Sequence, residues 1–334
     1  MTKQDFSKNL LSWYRANARD LPWRRTKDPY RILVSEIMLQ QTTVKAVIAY
    51  YERWLLTFPT VRVLAEAPLQ DVLKAWQGLG YYARARNLHR AAGIIMKEHH
   101  GLVPSDPKML AALPGIGAYT VGAVASIAFD LPATIIDANV RRVFMRLLAL
   151  PGKADTAHDK KITKTLESLV PAKDPGDFNQ ALMELGAVVC RSREPVCNLC
   201  PLGDRCKAFK KGVQEIIPEP KITTVKDITA VIAIITHKGR YLIQKRPDKG
   251  LLAGLWEFPG GKIGPEDRSK EAALAREIRE ELGRDVEIEK FLGKVVHYYT
   301  EYRVTLFVYG CSLTEEGKGP FSHENARWVT KKDL

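Results

Sequence analysis

Residues 113–120 read LPGIGAYT, a turn with two glycines that stands directly before an apolar, helix-forming segment. Such a turn leaves backbone N–H groups unpaired at the start of a helix, where they and the helix dipole can bind a phosphate. We therefore predict two helices joined by this turn, with Gly115 and Gly117 as candidate phosphate-binding residues. Because any helical hairpin can use such a turn, the motif needs support from the rest of the chain.

The chain changes character near residue 220. Before this point apolar residues recur at helical spacing, which predicts an all-α region. Pro218 and Pro220 interrupt the pattern, and Ile228–Thr236 is then a β-branched run typical of a strand. A charged amphipathic helix follows around Glu271–Leu282. The sequence thus predicts a multidomain protein with an all-α domain over residues 1–212, a linker over 213–226 and an α/β domain over 227–334.

Composition narrows the classes of function. A chain of 334 residues and 37.5 kDa is too long for one compact core. No uncharged apolar run approaches the ~20 residues that span a bilayer, and the start lacks the pattern of a secretory signal. We expect a cytoplasmic protein without a membrane partner.

The net charge of +13 is concentrated in residues 1–150, which hold 20 basic and 11 acidic side chains, and this favours a polyanionic partner.

Four of the five cysteines fall within 17 residues, in the pattern C-x6-C-x2-C-x5-C. They are Cys190, Cys197, Cys200 and Cys206. Thiolates this close together can enclose zinc or an iron–sulfur cluster, and spacing alone does not choose between them. The fifth, Cys311, stands in a predicted strand, where a cysteine is usually a small buried hydrophobic residue.

The cysteine spacing resembles the iron–sulfur loop of the endonuclease III family of helix–hairpin–helix DNA glycosylases, which implies a 4Fe-4S cluster on the loop 190–206. The turn at 113–120, followed by Asp137, is similar to the same superfamily. Three further motifs resemble the MutY family of adenine DNA glycosylases: LPWR (21–24), VSEIMLQQT (34–42) and GLGYY (78–82). This resemblance covers nearly all of residues 1–212. It implies double-stranded DNA with adenine opposite 8-oxoguanine or guanine as substrate, and we expect a monomer.

Glu36 lies in an apolar helical stretch, where burial would raise the pKa of its carboxyl and keep a proton available. Adenine leaves deoxyribose more easily when its ring is protonated, so a general acid of this kind suits the reaction. By resemblance, Glu36 protonates the base and then activates water, while Asp137 stabilises the cationic sugar. The structural alternatives are a surface carboxylate at 36 and a simple helix N-cap at 137.

The resemblance also assigns residues around the extruded base. It implies Tyr119 and Asn139 beside the sugar, Arg24 and Gln180 around the adenine, Tyr81 as a wedge in the emptied stack, and Gln41, Thr42 and Leu79 against the opposing base.

Related lyases have a lysine at the position of Tyr119, and a phenol cannot form their Schiff base with the sugar. The sequence therefore predicts base removal without strand cleavage. This opposes one alternative, an endonuclease III-like glycosylase with lyase activity. A second alternative, a catalytically silent DNA-binding protein, is opposed by the presence of both Glu36 and Asp137.

In the C-terminal part, GGKI (260–263) and REIREELG (276–283) resemble the Nudix box, and residues 225–334 resemble a MutT-type domain. Glu277, Glu280 and Glu281 share one face of a helix, so their carboxylates could hold Mg²⁺ or Mn²⁺. A solvated acidic face is the alternative. The box departs from the family pattern in one extra residue between Gly261 and Arg276 and in Arg284 at a usually aliphatic position.

MutY proteins use such a domain to read 8-oxoguanine, through a Phe-Ser-His loop. That loop aligns here with residues 299–301, which read YTE, and a literal FSH stands at 321–323. We expect the domain to read 8-oxoguanine, and the sequence leaves open whether it also hydrolyses 8-oxo-dGTP.

Overall fold

The computed structural model describes residues 3–220, 224–247, 253–299, 301–314 and 326–334. The chain divides into two compact units, Met1–Lys221 and Ile222–Leu334. This division falls inside the stretch 213–226 that the sequence analysis assigned to a linker. None of the helices in these ranges combines the length and the apolar character needed to cross a membrane.

All the regular secondary structure in the described residues of the first unit is helical, as predicted. Its α-helices are α1 Lys3–Asn17, α2 Pro29–Leu39, α3 Val44–Thr57, α4 Val61–Glu66, α5 Leu69–Ala75, α6 Ala83–Glu98, α7 Pro107–Ala112, α8 Ala118–Phe129, α9 Ala138–Leu148, α10 Thr156–Leu169, α11 Pro175–Val188 and α12 Lys207–Lys210. Short 3₁₀ helices cover Pro22–Arg25, Cys197–Leu199 and Gly203–Arg205.

Several of these helices begin where a polar side chain accepts a hydrogen bond from the first turn. Asp28 accepts from the backbone N–H of Arg31 at the start of α2, and Thr43 accepts from that of Ala46 at the start of α3. One face of α1 then packs against α9 and α11 through a cluster of aromatic rings, Phe6, Phe144 and Phe178. This core fixes α9 against α11, and Asp137 is the N-cap residue of α9.

The second unit is the predicted α/β domain. Its strands are β1 Lys226–His237, β2 Arg240–Lys245, β3 Trp256–Glu257, β4 Gly260–Lys262, β5 Val286–Tyr299, β6 Tyr302–Leu313 and β7 Ala326–Val329, and its helix is α13 Lys270–Leu282. A 3₁₀ turn covers Lys331–Asp333. The strand order along the sheet is β3-β2-β1-β6-β5, with β4 paired to β1 and β7 paired to β2.

Strands β1 and β6 are parallel, with Ala230 opposite Leu306, whereas β5 and β6 are antiparallel. Helix α13 covers this sheet because Ala273, Leu274, Ile278 and Leu282 are all buried against it. Of the acidic residues of the Nudix box on this helix, Glu280 is exposed, whereas Glu277 and Glu281 lie beside the buried stripe and are partly buried. The FSH motif at 321–323 and residue 300 of the aligned reading loop lie outside the described residues.

Candidate active site

The predicted hairpin is formed by α7, the turn 113–117 and α8. Gly115 has a φ of +77°, and a Cβ there would lie 2.7 Å from the Cβ of Asn87, so this position requires glycine for both its conformation and its packing. Gly117 is the N-cap of α8 and has open space around it. The hairpin therefore presents the start of a 12-residue helix without an obstructing side chain.

Glu36 is buried in α2, with 4% of its surface exposed, and is not a surface carboxylate. Pro29 at the first helical position and the Asp28 cap fix where α2 begins, which places Glu36 in its third turn. Burial raises the pKa of the Glu36 carboxyl to about 7, against the lowering effect of a hydrogen bond from Tyr119. Asp137 adds to the rise through its negative charge.

Tyr119 lies in the first turn of α8 and donates its hydroxyl to Glu36 Oε2 at 2.7 Å. The same hydroxyl lies 3.3 Å from the sulfur of Met183. Burial and the neighbouring Glu36 raise the pKa of the phenol well above its ordinary value, so Tyr119 stays protonated and can only donate to an ionised Glu36. The two residues thus form one coupled acid group.

Asp137 is the N-cap of α9, as the structural alternative predicts, and it also lines the cavity that contains Glu36. Its Oδ1 accepts from the backbone N–H of Val140 at 2.6 Å. Its Oδ2 accepts from the side-chain amide of Asn139 at 2.7 Å. Both carboxylate oxygens are therefore held in a fixed orientation.

Arg142 extends this chain of contacts. It donates to Asn139 Oδ1 at 2.8 Å, to the carbonyl of Gly186 at 2.6 Å and to the carbonyl of Cys190 at 2.8 Å. Helices α9 and α11 approach closely here, because a Cβ on Gly186 would lie 2.5 Å from the Cβ of Asn139. Asn139 is thus fixed by its hydrogen bonds with Asp137 and Arg142 and by its packing against Gly186.

The carboxylate that holds Arg24 was not predicted from the sequence. Glu184 on α11 is almost fully buried and accepts from Arg24 at 2.8 Å and, through both oxygens, from Arg19 at 2.7 Å. Burial alone would raise the pKa of Glu184, but the hydrogen bonds from Arg19 and Arg24 outweigh it and lower the pKa to about 2. The ionised Glu184 therefore fixes the guanidinium of Arg24 in the wall of the site.

These side chains line one cavity of about 640 Å³, which is within the usual range for small-molecule sites. Of the predicted residues, its lining includes Arg24, Glu36, Gln41, Thr42, Tyr119, Asp137, Asn139 and Gln180. It also includes Arg19, Met183 and Glu184, which were not predicted. The structure thus brings the predicted acid, the predicted sugar-stabilising carboxylate and the predicted base-binding residues to one pocket.

Leu79 and Tyr81 are not in the lining of this cavity. They belong to the turn between α5 and α6, where Tyr81 is 40% exposed. Leu79 is only 6% exposed, so in this conformation its side chain presents almost no surface to a base. Tyr81 has a φ of +49° and Gln41 has a φ of +58°. Both angles lie in the left-handed region, which is unfavourable for residues other than glycine.

The four cysteines follow α11 on a loop of short 3₁₀ turns, and none forms a disulfide. Burial raises the pKa of the Cys197, Cys200 and Cys206 thiols, and the neighbouring thiols raise it further. Arg146, which is fully buried, approaches Cys190 Sγ at 3.2 Å. A set of four mutually repelling thiolates is the donor set that a cationic iron–sulfur core requires, so these residues fit a cluster.

In the described part of the chain, no group of three or more His, Cys, Asp or Glu side chains is already arranged to hold a metal ion.

The Nudix box is held together by its own ion pairs. Arg276 donates to Glu277 at 3.0 Å, to Glu280 at 3.1 Å and, through two nitrogens, to Asp267 at 2.9 and 2.8 Å. Gln244 and the backbone N–H of Gly260 donate to Glu281. Arg276 therefore compensates the negative charge of Glu277 and Glu280, whereas Glu281 is held by the neutral groups of Gln244 and Gly260.

Comparison with known proteins agrees with this geometry. Residues 34–172 match the profile of the HhH-GPD superfamily of base excision DNA repair proteins, and residues 230–334 match the NUDIX domain profile. Among solved structures, a thermostable thymine-DNA glycosylase is similar with a TM-score of 0.57 and 30% identity, over 63% of this chain and 97% of that one. An endonuclease III–DNA complex is similar with a TM-score of 0.54 and 26% identity, over 64% and 99%.

Curated relatives match over both units. The adenine DNA glycosylase of Rattus norvegicus is 36% identical over 98% of this chain and 74% of its own length. That of Homo sapiens is 35% identical over 98% and 71%, and that of Buchnera aphidicola from Acyrthosiphon pisum is 38% identical over 82% and 77%. The chain therefore belongs to the adenine DNA glycosylase family, the MutY enzymes of base excision repair, with a helix–hairpin–helix glycosylase unit and a Nudix domain.

Proposed function

We propose that this enzyme removes adenine paired with 8-oxoguanine or with guanine in duplex DNA, by hydrolysis of the N-glycosidic bond and without strand cleavage. The observation that carries the proposal is Glu36, whose pKa of about 7 leaves much of the carboxyl protonated at neutral pH inside the pocket. We further propose that it acts as a monomer in the cytoplasm, a reducing compartment that suits its five free cysteines.

Departure of the base begins with proton transfer from Glu36 to the adenine ring, which converts a poor anionic leaving group into a neutral one. Tyr119 orients the carboxyl through its hydrogen bond to Oε2. Arg24, fixed by Glu184, and Gln180 provide hydrogen-bonding groups around the base. Once ionised, Glu36 can take a proton from the water that attacks the sugar.

The sugar becomes cationic as the base leaves. Asp137 then stabilises that charge with a carboxylate already oriented by Val140 and Asn139, so little reorganisation is needed during the reaction. Because Tyr119 is a phenol, water and not an enzyme amine completes the reaction, and the product is an abasic site on an intact strand.

The decisive experiment offers duplexes with adenine opposite 8-oxoguanine, guanine or cytosine and measures free adenine. We expect release from the first two, and nicks only after treatment with alkali or heat. Glu36→Gln serves as the inactive control. Prompt nicking with a high yield of borohydride-trapped adduct would refute the absence of lyase activity, and equal release opposite cytosine would refute the specificity.

We propose that Cys190, Cys197, Cys200 and Cys206 hold a 4Fe-4S cluster. A cluster bound there would fix the loop and its basic residues for contact with DNA phosphates, among them Arg191, Arg193, Lys207 and Lys210. We expect about four iron atoms per chain and a yellow-brown colour in protein purified without oxygen. Zinc in place of iron would contradict the proposal.

We propose that the Nudix unit reads 8-oxoguanine. The ion pairs of Arg276 support this role over hydrolysis, because Mg²⁺ or Mn²⁺ at the Nudix box would compete at Glu277 and Glu280 with a guanidinium already in place. Pyrophosphate release from 8-oxo-dGTP should therefore not exceed that of the variant Glu280→Gln plus Glu281→Gln with either metal. Release well above the variant would show that the unit is also a hydrolase.

A further inference from the structure

Arg84 is a buried arginine of α6 whose guanidinium lies between two loops of the glycosylase unit. Only 8% of its surface is exposed. Burial lowers the pKa of the guanidinium to about 10, which still leaves it charged at neutral pH. A buried charge of this kind needs close partners, and Arg84 finds them on main-chain carbonyls.

One set of partners is the end of α2, the helix that carries Glu36. Nη1 of Arg84 donates to the carbonyls of Ile37 at 3.1 Å, of Met38 at 2.8 Å and of Gln40. Carbonyls at the end of a helix have no partner within the helix and carry its negative dipole end, so a cation is favourable there. Arg84 therefore caps the helix that carries the acid.

The second set of partners is the turn that carries Tyr81. Nη2 of Arg84 donates to the carbonyls of Leu79 and Gly80, both at 3.1 Å. The same nitrogen donates to the hydroxyl of Thr42 at 3.0 Å, and the guanidinium carbon lies 5.3 Å from the ring centre of Tyr81. One guanidinium thus joins residues 40–42, which we call the opposing-base loop, to residues 78–82, which we call the wedge loop.

Each of these loops contains a residue in the left-handed conformation, Gln41 in the first and Tyr81 in the second. Such a conformation persists in a residue other than glycine when the surrounding contacts fix it. The hydrogen bonds of Arg84 go to the carbonyls directly before these two residues, those of Gln40 and Gly80. Arg84 is therefore placed to hold both unfavourable conformations.

We propose that Arg84 is a positioning residue that sets the spacing between the wedge loop and the opposing-base loop. Tyr81 can then enter the stack while Gln41 and Thr42 reach the opposing base. The inference rests on the proposed function, from which it takes the roles of these three residues. A lysine cannot replace the arginine, because a single ammonium with three donors cannot span both loops.

The test compares Arg84→Lys with Arg62→Lys, a control on α4 whose arginine is exposed and paired with Glu66. Adenine release is measured in single turnovers on duplexes with adenine opposite 8-oxoguanine, opposite guanine and opposite an abasic site. Base extrusion is followed by the fluorescence of 2-aminopurine placed beside the adenine.

We expect Arg84→Lys to lose about ten- to a hundredfold in rate opposite 8-oxoguanine, since a displacement of about 1 Å costs on that order. The loss should be smaller opposite an abasic site, where there is no base to contact, and the extrusion signal should fall. A merely structural role would reduce the rate equally on all three duplexes, and that outcome, or an unchanged rate, would overturn the inference. Arg84→Gln, which keeps two N–H donors, replaces the lysine variant if that variant does not fold.

The wild-type enzyme separates this inference from the proposed function. If it releases adenine equally fast opposite 8-oxoguanine, guanine and cytosine, the proposed specificity fails. The 2-aminopurine fluorescence then tests the positioning role of Arg84 by itself. An Arg84 variant that extrudes the base as the wild type does would overturn that role.

Discussion

Replacing Glu36 with glutamine should abolish adenine release while leaving duplex binding intact, and it should also stabilise the folded enzyme at alkaline pH. Glu36 is 4% exposed, and burial raises its pKa from 4.5 to about 7. Glutamine has nearly the shape of the protonated carboxyl but cannot ionise. The substitution therefore removes the proton donor and, with it, the cost of burying a carboxylate.

The magnitude follows from the two pKa values. In the unfolded chain Glu36 ionises near its ordinary pKa of 4.5, and in the folded chain near 7, so ionisation favours unfolding between these values. The contribution of Glu36 to stability is thus fully present below pH 4.5 and is lost as the pH rises through 7. At about 1.4 kcal/mol per pKa unit, the wild type loses about 3 kcal/mol that the glutamine variant keeps.

Urea unfolding of the full chain at about pH 5 and about pH 8.5 measures this difference. Part of the loss has occurred by pH 5, so the gap between variant and wild type should widen by about 2.5 kcal/mol between the two conditions. Glu66→Gln, at a side chain that is 65% exposed on α4, is the matched control and should show no widening. A gap that is the same at both pH values would refute the raised pKa and, with it, the assignment of Glu36 as the general acid.

Asp137→Asn should abolish adenine release at unchanged stability, because asparagine is also a good N-cap, whereas Asp137→Ala should in addition lower the free energy of unfolding by about 1 kcal/mol; urea unfolding with an adenine-release assay separates the two. Glu184→Gln should remove the loss of stability that the wild type shows in acid, because the ionised Glu184 stabilises the fold above pH 4.5 and this contribution is lost as the pH falls toward 2. Unfolding curves of both proteins across that pH range measure the difference. Arg142→Gln should slow adenine release more than it weakens duplex binding, because it frees Asn139 from its contact at 2.8 Å; single-turnover rates beside a binding titration test this, and equal losses would count against it.

The features that depend on residues close together in the sequence, such as burial within a helix and the start of a helix, were predicted most accurately. The apolar spacing around Glu36 predicted its burial, and the position of Asp137 before a helical pattern predicted its place at the start of α9. The predicted helix at Glu271–Leu282 is observed as Lys270–Leu282, because Ser269 caps it one residue earlier.

What depends on distant residues could not be predicted in this way. Glu184 contacts Arg19 across 165 positions, and nothing in the local pattern of α11 distinguishes it from a solvent-exposed glutamate. Arg84 likewise reaches across more than 40 positions to main-chain carbonyls, which have no sequence signature at all. Helical spacing placed the three glutamates of the Nudix box on one face, but it did not show that Arg276 pairs with two of them, Glu277 and Glu280.

The close approach of α9 and α11 at Gly186 bears on how substitutions in this chain are interpreted. Glycine and alanine differ by one methyl group, and tables of residue exchange treat their replacement as mild. Here that methyl would overlap the Cβ of Asn139 at 2.5 Å and would also press on its backbone. A missense change at Gly186 should therefore be ranked with changes of the catalytic residues themselves, although its own side chain carries no chemistry.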